Sequence, residues 1–133
     1  YGDGYGDGYG DGDGDGDGPY WLATMSLFVE KWLQPQRDRL AQLKAEGARI
    51  AFWRSTEKGM PANGGKCAPV APGTIHTEPG PLRNDCGAGQ LHATLIPPKW
   101  KGERVWIVAL IGEVRGDDEK MWALKREIVG ECL

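Results

Sequence analysis

Apolar residues first recur at helical spacing. Met25, Phe28, Val29, Trp32 and Leu33 form one stripe, which predicts a helix from Ala23 to Gln34, with Thr24 or Ser26 capping its start. Pro35 interrupts the stripe and suits the first turn of a second helix, Pro35 to Glu46. That helix has Leu40 and Leu43 on one face and Gly47 as its stop. The period then changes. Ala48 to Arg54 reads as a strand with Ile50 and Phe52 on one side, and Gln90 to Ile96 as another with Leu91, Ala93 and Leu95 together. Between them, Thr56 to Gly65 is a loop, and Pro61, Pro69, Pro72, Pro79 and Pro81 leave room only for short extended pieces such as Thr74–Glu78. Arg104 to Val114 is a nearly continuous apolar run, the pattern of a central strand covered on both faces. Gly112 is expected at a bulge or a close approach. Lys120 to Cys132 fits either period; Gly130 and the acidic turn Asp117-Asp118 favour a strand from about Ala123. The order of elements predicts an α+β fold, two N-terminal helices packed on a small, mainly antiparallel sheet.

The first eighteen residues have no such pattern. Every even position is Gly, and the odd positions are Tyr1, Asp3, Tyr5, Asp7, Tyr9, Asp11, Asp13, Asp15 and Asp17. A stretch with nine glycines and six charged residues has no apolar face to bury. The chain therefore divides into a Gly-Asp/Tyr repeat arm, residues 1–18, and a single α+β domain, residues 19–133. The arm holds six of the 19 acidic residues, which leaves thirteen against 16 basic ones and gives the domain an excess of three positive charges under a net charge of −3. An acidic arm on a mildly basic body predicts contact with other copies of the chain or with a larger assembly. The alternating Asp side chains are also candidate ligands for Ca2+. An excess of three is too small to indicate a nucleic-acid binder. Lys99, Lys101, Arg104 and Arg115 beside Trp100 and Trp106 are a stacking-and-clamping pattern, but one that more often is a solvated face over core tryptophans.

Cys67, Cys86 and Cys132 form no C-x-x-C pair and are read as free thiols, with a Cys67–Cys86 bridge as the alternative. No apolar run is long enough to cross a membrane. Cys67, His76, Cys86 and His92 are the candidates for a Cys2His2 zinc site, although their spacing follows no short metal-ligand pattern. Cys86 with His92 or His76 is the corresponding nucleophile pair. The plainer reading of His92 is a hydrogen-bonded imidazole that holds neighbouring strands.

Three segments carry a resemblance: CGAGQLHAT (Cys86–Thr94), PPKWKGERVWIVALIGEV (Pro97–Val114) and DEKMWALKREIVGE (Asp118–Glu131). Together they resemble a family of uncharacterised small proteins of bacteriophages and bacteria, which has a Cys-x-x-Gly-Leu-His-Ala-like element and a Gly-Glu-Val strand end. Gln90 stands where that family often has Gly. The resemblance implies an α+β fold and a virion or host-cytoplasm setting. A fainter similarity is to ADP-ribosyltransferases, through His76 and His92 on strands and a later acidic residue, Glu113 or Glu127. That similarity implies NAD held by a His, with a Glu positioning the nucleophile; the Glu-x-Glu pair of those enzymes is not present. The leading functional expectation is a non-enzymatic structural or interaction module acting through its arm. The alternatives are an NAD-using enzyme and a metal-binding protein.

Overall fold

The computed structural model describes residues 18–63 and 65–133. Its elements run α1 (Gly18–Val29), α2 (Gln34–Ala45), β1 (Arg49–Ser55), β2 (Ile75–Thr77), β3 (Leu91–Ala93), β4 (Arg104–Leu110), β5 (Arg115–Gly116), β6 (Met121–Ala123) and β7 (Lys125–Glu131). All pairings are antiparallel. They build a four-stranded sheet of order β1-β4-β7-β2 and a three-stranded sheet of order β3-β6-β5. The fold is thus α+β, with two helices before a mainly antiparallel strand set.

The alternation of side chains across the strands produces three layers. Ile50, Phe52, Ile107, Ala109 and Val129 leave one face of the larger sheet and pack against Met25, Leu40 and Leu43 of the helices. Ala51, Trp53, Trp106, Val108, Leu110 and Ile128 leave the other face and meet Ala93, Leu95, Met121 and Ala123 of the smaller sheet and its flanks. β4 lies inside the larger sheet, and its last five residues are buried, as its apolar run requires. One residue of β7, Val129, is an extra opposite the step from Ile107 to Val108, which is a bulge.

Several boundaries differ from the sequence reading. α1 starts at Gly18, five residues before the expected start at Ala23, because Pro19 fits a first helical turn where no N–H is needed. Thr24 and Ser26 are therefore inside the helix, and their hydroxyls bond back to the carbonyls of Trp21 and Ala23 rather than capping. The central strand stops at Leu110, not Val114, since Gly112 takes φ +90 in an open turn and not in a bulge or close approach. Gly130, by contrast, does meet a close approach: a Cβ there would lie 2.4 Å from the Trp32 ring. The arm lies outside the described residues apart from Gly18, and so do its candidate Ca2+ ligands. No helix among the described residues is long and apolar enough to cross a membrane.

Candidate anion-binding site

β2 and β7 pair so that His76 stands directly opposite Arg126. Arg126 is on the face of β7 that looks towards the smaller sheet, and it is 5% exposed. Its guanidinium lies 4.6 Å above the centre of the Trp53 ring, a cation–π contact that covers one face of the charge. One Nη donates to the carbonyl oxygen of His92 at 2.8 Å. The other lies 3.0 Å from His76 Nδ1. Arginine has no lone pair to offer, so His76 must accept through Nδ1 and, while neutral, carry its proton on Nε2.

Two of five guanidinium donors are thereby used, and Arg126 Nε, buried, has no partner. No carboxylate among the described residues comes within ion-pair distance of Arg126. Glu78 and Cys67 act on it only across a longer separation. Burial draws its pKa down to about 10, which still leaves a full positive charge at neutral pH. An arginine buried without an acid carries a desolvation cost that cation–π and neutral hydrogen bonds offset only in part.

Arg126 lines a cavity of about 580 Å3, a size typical of small-molecule sites. The wall includes His76, Glu78, His92, Trp53 and Trp100, and the charged side chains around it are Lys66, Lys120, Arg126 and Glu78, an excess of two positive charges. The loop 87–89 closes one side. Gln90 holds it in place, accepting from Arg83 N at 2.7 Å and donating to Asp85 O at 2.9 Å, while Arg83 donates to Ala88 O at 2.8 Å. Both imidazoles are held neutral near pH 7. Burial, reinforced by Lys120 and Arg126, takes His92 down to about 4, and burial with Arg126 lowers His76. Burial pushes the Cys67 thiol up, against the pull of Arg126. The site therefore holds a fixed cation, two uncharged imidazoles and a protonated thiol. It is suited to receiving negative charge.

Of the candidate residues from sequence, His76, His92 and Cys67 meet in this cavity, and Cys86 does not, being exposed just before the pinned loop. No three His, Cys, Asp or Glu side chains among the described residues are grouped as a metal site, and the three cysteines are free thiols. Glu113 is exposed and pairs with Arg115 at 3.0 Å. Glu127 points the other way from its neighbour Arg126, towards the helices. It takes a two-pronged bond from Arg39 at 2.8 and 2.7 Å. Neither acid reaches the cavity; the acid that does is Glu78. His92 bridges strands through its carbonyl rather than its ring, whose buried Nε2 has no partner. The sequence reading missed Arg126, Trp53, Glu78 and Lys120. No local signal singled out Arg126, since β7 carries three other charged residues, Lys125, Glu127 and Glu131. Comparison of the chain with protein-family models, curated proteins and solved structures finds no match.

Proposed function

We propose that the domain is a binding module for a small anionic molecule, phosphate- or carboxylate-bearing, whose charge sits against Arg126. The supporting observation is the buried guanidinium with unused donors and no paired acid, at the wall of a cavity with excess positive charge. An anion there gains charge-assisted hydrogen bonds in a low-dielectric setting and relieves the burial cost of the cation. A dissociation constant of about 1 mM or tighter is expected for adenosine monophosphate, used as a probe with one phosphate and a planar ring. Calorimetry on the intact chain and on Arg126→Gln tests this. The variant is expected to weaken binding about tenfold or more, with its fold checked by circular dichroism. His76→Phe, which removes only the acceptor that orients Arg126, is the milder second variant. Unchanged affinity in a folded Arg126→Gln protein overturns the reading.

A second reading, an NAD-using transferase, is favoured by the convergence of His76 and His92 on one cavity. Glu78 is then the acid available to it. Release of free nicotinamide from NAD by the purified chain is the expected sign, and its absence removes this reading while leaving the binding module intact.

A further inference from the structure

A second hollow of about 450 Å3 adjoins the anion cavity, sharing Asn63, Trp100 and Lys120 with it. The second hollow is lined by Lys99 and Lys101 in addition to Lys120. None of the three lysines makes an ion pair among the described residues. A cluster of unpaired cations repels itself, so its placement is informative only if the backbone beneath it is fixed.

That backbone is fixed from three sides. Arg54 donates to the carbonyls of Pro97 and Trp100, both at 3.0 Å, and to that of Gly102. Asn63 pairs with the main chain of Lys101 in both directions, at 2.7 and 2.9 Å. Trp100 Nε1 donates to Glu119 O at 3.1 Å. Gly102 is held at φ +137 and sits so close to β1 that a Cβ would lie 2.7 Å from Ser55 O. The turn is a platform built before any ligand arrives, and the Lys99 and Lys101 side chains stand on it exposed. Trp100, partly buried, lines both hollows.

We infer that the ligand of the Arg126 cavity is a nucleotide carrying at least two phosphate groups, one at Arg126 and the next on Lys99 and Lys101, with Trp100 as the flat surface between. This rests on the binding-module reading. Planar rings stack on tryptophan without regard to base identity, and lysines bind phosphate as point charges. A single anion would have no use for the outer lysines.

The test is calorimetry on the intact chain with three probes: adenosine monophosphate, adenosine diphosphate and adenosine 3′,5′-bisphosphate. The proposal expects one of the two-phosphate probes to bind about tenfold more tightly than the monophosphate, a gain that falls as salt is raised. The double variant Lys99→Gln/Lys101→Gln is expected to remove that gain and leave the monophosphate within about twofold. Both lysines are exposed and their side chains hold nothing in the fold, so the variant protein stays folded. Equal binding of one- and two-phosphate probes, or equal weakening of all three by the double variant, overturns the inference while the Arg126 site stands. Failure of every probe to bind overturns the Arg126 site and this inference with it.

Discussion

Arg126 and Glu127 are neighbours with opposite fates, and strand geometry is the reason. Successive side chains point to opposite faces. Glu127, on the helix side, meets Arg39; Arg126, on the cavity side, meets the His76 imidazole, the Trp53 indole and the His92 carbonyl, with no acid in bonding range. His92 shares that environment and gives a test by pH. Its folded pKa, about 4, is below the ordinary value of 6.5, so the unfolded chain binds more protons between those limits. The share of stability that His92 contributes is therefore constant above about pH 6.5 and is lost as pH drops towards 4, by about 2 kcal/mol once partial exposure is allowed for. Urea unfolding of the parent and of His92→Asn across this range measures it. The variant should lack this share of the acid loss, and identical pH curves would contradict the assignment.

At the scale of elements, contact between the helices and the larger sheet depends on one absent side chain. The Trp32 ring lies on Gly130, and its Nε1 donates to Glu131 O at 2.8 Å. Gly130→Ala forces the ring or the strand to move and is expected to cost about 1–3 kcal/mol. Once the ring is removed by Trp32→Ala, that cost should vanish, and a thermal-denaturation double-mutant cycle measures the coupling. Additive effects would show that the two do not press on one another. The sequence marked Gly130 as unfavourable to a helix, and so the strand was legible. Its partner was not, because Trp32 is 98 positions away and nothing local connects them.

For the whole molecule, periodicity revealed most of the architecture. The second helix, β1, the buried β4 and the last strand all lie near the positions their patterns predict. Short pieces such as β5 and β6 have too few residues to show a period, so the division into two sheets was not legible. The cavity was legible only in part: His76 and His92 are conspicuous as rare residue types, whereas Arg126 becomes significant only when its burial and its lack of an acid are known. The acidic arm remains a proposal about assembly, resting on its charge opposite to that of the domain. Deleting residues 1–17 is expected to reduce assembly size by light scattering at low salt; an unchanged size would count against it.

The function proposed for the domain turns on whether the Arg126 guanidinium accepts an outside anion. Nitrogen-detected or proton–nitrogen NMR resolves arginine side-chain resonances one by one, and inorganic phosphate titrated into the labelled chain puts the question to that group alone. The expected result is a saturable shift of the Arg126 guanidinium signals, while those of Arg39 and Arg104, already paired with Glu127 and Glu131, stay in place. Arg126 signals that remain unmoved, or that move only in step with the other arginines, would contradict it.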